Sequence, residues 1–197
     1  MRIFCFVSIC CRQRKRLSLD GGLGADVLFG GEGDDSLIGG GGIDILIGGE
    51  GIDLLAGGAE ADTFLFYNPN NAAISVGAAD RISDFSVGVD SVSLVGHDFG
   101  LSTTLTENSN YFEISWSGSN ANALDIALQD GTIESLMSVA DDQSYIAFLE
   151  FTDDSGGEDS SSYLLFDDND ATNGMGVVTE LESVAGVDIS TIDFTVF

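Results

Sequence analysis

GGLGADVLFGGEGDDSLIGGGGIDILIGGEGIDLLAGGAEADTFL, residues 21–65, divides without remainder into five nonapeptides. They are Gly21–Phe29, Gly30–Ile38, Gly39–Ile47, Gly48–Ala56 and Gly57–Leu65. Positions one and two are Gly throughout, and position four is Gly in every unit but the last, where Glu60 stands. Position six is Asp26, Asp35, Asp44, Asp53 and Asp62, and position eight is Leu28, Leu37, Leu46, Leu55 and Phe64. A period held by glycine, carboxylate and apolar residue together marks a repeat architecture; a flexible glycine linker has no reason to keep one.

Each unit reads as a turn followed by a short strand. Glycine admits positive φ and leaves the neighbouring carbonyls unobstructed. Positions seven to nine alternate, with position eight inward and its neighbours outward. One unit turns the chain and crosses once, so two units, 18 residues, close a coil. Units one, three and five then stack on one side, and units two and four on the other.

The charge says what such stacking needs. The 197 residues carry 6 Lys and Arg against 33 Asp and Glu, a net charge of −27. Arg2, Arg12, Arg14, Lys15 and Arg16 precede the first acidic residue, leaving Arg81 as the only later base. Such a chain repels nucleic acid and anionic membranes, and repels itself when compact. The 44% hydrophobic content argues against disorder for most of its length, leaving multivalent cations as counter-ions.

Stacked turns bring each Asp close to the carbonyls of the next turn on its side. The pairs are Asp26 with Asp44, Asp44 with Asp62, and Asp35 with Asp53, which predicts about three good sites. Carboxylates and the backbone oxygens of Gly22, Gly24, Gly31, Gly33, Gly40, Gly42, Gly49 and Gly51 form an oxygen-only ligand set. Ca²⁺ accepts six to eight such ligands in flexible geometry, whereas Mg²⁺ keeps its waters. Zn²⁺ wants His or Cys, and past the first eleven residues the chain offers only His97. Glu60 puts a Cβ where positive φ is needed, so the Asp62 site is expected to be the least secure. At about 1 mM calcium and a dissociation constant of about 0.1 mM, each site adds roughly 1.4 kcal/mol. Three add about 4 kcal/mol, close to the low end of a whole domain's stability.

The five units resemble the GGxGxDxUx nonapeptide of the repeats-in-toxin (RTX) family, in which U is a large apolar residue. That resemblance implies a calcium-binding parallel β-roll. The segment Asp80–Leu94, DRISDFSVGVDSVSL, reads as strand, turn at Gly88 and strand. It also resembles the stretch that follows the last repeat in serralysin-like secreted proteins. The resemblance implies a cap on the roll, with Asp80 and Asp84 as further calcium ligands. The ending VDISTIDFTVF resembles the uncleaved C-terminal signal of such proteins, which a type I exporter reads; a last β-strand explains it equally well.

Around the repeats the expectations are coarser. Residues 1–18 read as an irregular, truncation-derived leader: in Arg12–Asp20 the glycine and Asp places hold Arg12, Gln13, Lys15 and Leu17, and only Leu19 keeps the apolar place. Cys5, Cys10 and Cys11 all lie there, so no disulfide staples the rest. The apolar run Ile3–Cys11 is too short for a membrane span and precedes its basic cluster, the reverse of a secretory signal peptide. Residues 19–66 form the roll. Residues 67–197 form a mostly antiparallel β region for capping and secretion, with one short helix after Thr132. The fold class is therefore all-β.

The function implied is a calcium-binding secretion and folding module, extracellular after type I export, that serves an upstream cargo domain. Catalysis is not expected: HExxH and G-x-S-x-G are absent, and no residue is assigned a catalytic role. FDDNDATNG, Phe166–Gly174, has the wrong offsets for an EF-hand. Two alternatives remain, an accessory part of a secreted hydrolase and an adhesion or matrix protein. The latter would self-associate through the outward residues Val27, Phe29, Ile45, Ile47, Thr63 and Leu65.

Overall fold

The computed structural model describes residues 16–67, 76–95, 111–118, 145–153, 160–167, 176–182 and 193–196. The expected helix after Thr132, the leader before Arg16, His97 and most of Phe166–Gly174 lie outside the described residues. The roll consists of β1 (Ser18–Leu23), β2 (Val27–Glu32), β3 (Ser36–Gly41), β4 (Ile45–Glu50), β5 (Leu54–Ala59) and β6 (Thr63–Tyr67). Strands two apart pair in parallel with an offset of 18 residues. Leu19 faces Leu37, Leu37 faces Leu55, and Leu28 faces Leu46. Two nonapeptides therefore make one coil, as the period requires.

The strands are longer than positions seven to nine. β1 to β5 each run on through the glycine pair, as Gly22 still ladders with Gly40 and Gly31 with Gly49. Only positions four to six are left for the turn. The first strand of the roll begins at Ser18, ahead of the first glycine pair. β1 begins at Ser18 because strand pairing asks only for a backbone and the inward Leu19.

Along each strand, position eight and the following first glycine point inward while positions seven and nine point out. Leu28, Leu37, Leu46, Leu55 and Phe64 are consequently at most 3% exposed. Removing each from water stabilises the roll by about 1.5–3 kcal/mol. The same column continues into β7 (Asp80–Ile82) and β8 (Ser91–Val95), where Ile82 faces Leu55 and Val92 faces Phe64.

The remaining strands are β9 (Tyr111–Gly118), β10 (Tyr145–Asp153), β11 (Ser160–Asp167), β12 (Gly176–Leu181) and β13 (Asp193–Val196). One sheet has the order β1-β3-β5-β7-β12-β11-β10-β9 and the other β13-β8-β6-β4-β2. β10, β11 and β12 pair antiparallel, while β9 joins β10, β12 joins β7 and β13 joins β8 in parallel. The fold is all-β, with roll and C-terminal strands sharing continuous sheets. They also share one core: Phe148, Leu164, Val178 and Leu181 pack in the cluster that holds the repeat leucines. Arg81, on β7, forms ion pairs with Glu180 and Glu182, pinning the end of the roll to β12.

Candidate metal centre

The repeat aspartates stand in two columns, one on each edge of the roll. The turns after β1, β3 and β5 carry Asp26, Asp44 and Asp62; those after β2 and β4 carry Asp35 and Asp53. In each column Oδ1 accepts the backbone N–H of the aspartate one coil earlier. Asp26 donates to Asp44 at 2.8 Å, Asp44 to Asp62 at 2.9 Å and Asp35 to Asp53 at 2.7 Å. These are the three pairs that the 18-residue coil predicts.

Both columns outrun the repeats. Asp53 N–H donates to Asp80 Oδ1 at 2.8 Å, and Asp62 N–H to Asp90 Oδ1 at 3.0 Å. At the other end Leu17 N–H donates to Asp35 Oδ1 at 2.8 Å, a rung without a second carboxylate. Asp84 stands outside the columns and accepts the N–H groups of Gly57 and Gly58, both at 2.9 Å, closing the part of β5 that β7 does not reach. Asp80 is thus a column member and Asp84 a backbone cap.

The second carboxylate oxygen carries the chemistry. Oδ2 of Asp26, Asp35, Asp44, Asp53 and Asp62 is buried and has no hydrogen-bond partner. Leaving one buried acceptor unsatisfied costs about 1–3 kcal/mol, and more when it is charged. Five such oxygens, spread over two columns, form a recurring set of acceptors that a cation would satisfy. The first glycine of each unit explains the fit. A Cβ on Gly39 would lie 2.5 Å from Asp44 Oδ2 and 2.6 Å from the Gly57 carbonyl oxygen; on Gly30 it would lie 2.6 Å from both Asp35 Oδ2 and the Gly48 carbonyl oxygen. A carboxylate of one coil and a carbonyl of the next therefore crowd a space that only glycine leaves open.

Gly22, Gly24, Gly31, Gly33, Gly40, Gly42, Gly49 and Gly51 all have positive φ. The carbonyl oxygens of Gly22, Gly24, Gly31, Gly33 and Gly40 stand against the matching glycine of the next coil. Every donor here is a hard oxygen. Among the described residues no three His, Cys, Asp or Glu side chains converge, so backbone carbonyls are the further protein oxygens at hand beside a pair of carboxylates. That composition suits Ca²⁺. Held in such a gap, the ion would supply positive charge that joins one coil to the next.

Packing carboxylates this way disfavours their ionised form. Burial, opposed by the backbone N–H and aided by the neighbouring carboxylate, pushes Asp80 up to about 7 and Asp53 to about 6. Asp62 rises to about 6, chiefly by burial, with Asp90, Asp44 and Asp84 adding repulsion. Asp44 is raised by burial first and then by the charges of Asp26 and Glu60, again against its backbone hydrogen bond.

Sequence reasoning missed two contributors. One is the first-position carbonyl set, Gly39, Gly48 and Gly57. The other is Asp90, 28 residues beyond Asp62 and so outside the period. Its signal was nonetheless present: GVDSVS, Gly88–Ser93, repeats the GIDLLA of Gly51–Ala56, with Gly88 again at positive φ.

Comparison with known proteins agrees with this geometry. Residues 18–46 and 38–65 match the model of the RTX calcium-binding nonapeptide repeat. The array is thus of the RTX hemolysin type, and its cofactor is Ca²⁺. A similar solved structure is the AlgE6R3 subunit of a mannuronan C5-epimerase from Azotobacter vinelandii. It is 24% identical, covers 91% of this chain and 79% of that one, and has a TM-score of 0.50, a likeness in fold. No curated protein sequence matches the chain.

Proposed function

We propose that this calcium-binding array is the folding switch of a secreted protein. The observation that carries the reading is the set of five buried, unpartnered Oδ2 atoms. Without a divalent cation their charges oppose stacking; with it they cement the coils. Where calcium is scarce the chain stays open enough to thread a type I exporter. At millimolar calcium outside the cell the coils close, and closure opposes backsliding. The resemblance of the ending to a type I signal supports that route. Asp193–Val196 forms β13 on β8, so the same segment serves as a strand once the roll has formed. The chain itself is proposed to be non-enzymatic and to fold beside a cargo domain.

The experiment is export of the full chain with and without residues 193–197, followed by circular dichroism of the product in chelator and in calcium. The proposal expects secretion to fall on deletion and structure to appear with calcium. Undiminished secretion rejects the signal, and calcium-independent structure rejects the switch. A second reading rests on Phe29 and Val27, 46% and 39% exposed on the outer face of the β2 sheet. Self-association through that face predicts a mass that rises with calcium in light scattering, and a constant monomer contradicts it.

A further inference from the structure

Phe85–Ser93, FSVGVDSVS, is a degenerate nonapeptide. Val92 faces Phe64 in the ladder of β6 with β8, so both hold the eighth position. That register puts Phe85 first, Ser86 second, Gly88 fourth and Asp90 sixth. Gly88 keeps positive φ, at 73°. Asp90 keeps the column, its Oδ1 accepting Asp62 N–H at 3.0 Å. Asp62 itself stays a regular rung although Glu60 replaces its fourth-position glycine: it is 1% exposed and accepts Asp44 N–H. The departure comes one coil later, in the first two positions of the unit that carries Asp90.

In every repeat, a Cβ on the first glycine would lie between 2.3 and 3.0 Å from Oδ2 of that unit's aspartate. Phe85 brings such a Cβ, and its buried ring lies 6.0 Å from that of Phe64, inside the core. The second glycines, Gly22, Gly31, Gly40, Gly49 and Gly58, have φ between 88° and 115°, whereas Ser86 does not take positive φ. Ser86 N–H instead donates to Asp90 Oδ2 at 2.8 Å. The oxygen left bare in all five repeat aspartates is thus partnered in Asp90. The Ser86 carbonyl is occupied as well, accepting the N–H groups of Val89 at 3.0 Å and Asp90 at 2.8 Å. Asp84 is used in the same way, one oxygen on Gly57 N–H and the other on Gly58 N–H.

We infer that the roll ends on a metal-free rung: Ser86 N–H stands where a cation would stand, Phe85 fills the space, and neither Asp84 nor Asp90 supplies a calcium ligand. The inference rests on the calcium reading of the repeats. Backbone N–H groups stabilise a carboxylate without any ion. Four of them hold the four oxygens of Asp84 and Asp90, so this end of the roll closes by hydrogen bonds alone. Asp90 is then a positioning residue. It fixes Asp62, and with it the far wall of the Asp44–Asp62 gap.

Equilibrium dialysis of the full chain against saturating calcium chloride counts the ions bound. Asp84→Asn and Asp90→Asn are expected to hold as many as the unsubstituted chain, and Asp44→Asn at least one fewer. Both cap variants should lower the melting temperature in calcium and in chelator alike, because their bonds need no ion; Asp44→Asn should lower it in calcium only. One ion fewer in either cap variant, or a lowered melting temperature confined to calcium, overturns the inference. Should Asp90→Asn fail to fold, amide exchange in the calcium-loaded, unsubstituted chain decides. Slow exchange at Ser86, Gly57 and Gly58 supports the inference, and exchange at the rate of an open chain at Ser86 overturns it. No calcium uptake by the unsubstituted chain overturns the calcium reading, and the inference with it.

Discussion

At the scale of the residue, glycine and aspartate divide one task. Gly39 and Gly22 show that the glycines serve for different reasons. A methyl on Gly39 collides with Asp44 Oδ2 and the Gly57 carbonyl, whereas one on Gly22 meets nothing within 4 Å but must hold φ at +88°. Gly22→Ala is expected to cost about 1–2 kcal/mol of thermal stability and to weaken calcium binding without abolishing it, because its carbonyl is kept but its φ is strained. Gly39→Ala is expected to abolish calcium uptake at its gap, and calorimetry distinguishes the two. Asp44 bounds two gaps and Asp26 one, so Asp44→Asn should remove more of the calcium heat than Asp26→Asn. The raised carboxylates fix a pH dependence. Folded without metal, Asp53, Asp62 and Asp80 hold protons up to about pH 6–7, while the unfolded chain releases them near the ordinary value of 3.8. Their stabilising effect is fully present below that ordinary value and is lost as pH rises through 6–7. In chelator the melting temperature should fall as pH rises from 4 to 7; a rise would contradict the burial of these groups. With calcium the trend reverses, because protons compete for the same oxygens.

At the scale of the element, the repeat strands and the strand, turn and strand after them were legible, but the register in which that ending continues the columns was not. Period nine ties each residue type directly to a backbone task, so turn, inward leucine and carboxylate column could all be read from Gly21–Leu65. The array's continuation is spaced differently. Asp80 follows Asp53 by 27 residues and Asp90 follows Asp62 by 28, so only the local GVDSVS pattern betrays the second. The pairing of β12 with β7 joins Thr179 to Asp80 across the chain, and nothing local encodes it. Asp84 accepts two N–H groups that no strand reaches. Asp84→Ala should therefore raise amide exchange at Gly57 and Gly58 and cost about 1–3 kcal/mol. Exchange unchanged at those two amides would remove its role as a cap.

At the scale of the whole molecule, a chain with a net charge of −27 closes around aspartates that its own packing drives toward protonation. The apolar column from Leu28 to Phe64 favours the roll, and the carboxylate columns oppose it until cations arrive. Joined sheets and a shared core carry the effect into the C-terminal strands, so calcium at the repeats should order β7 and β12 as well. The most direct test is small-angle scattering and circular dichroism of the full chain in chelator, in millimolar magnesium and in millimolar calcium. A contraction with a gain of β signal in calcium alone is the predicted result. The same dimensions and spectrum in all three solutions would contradict it.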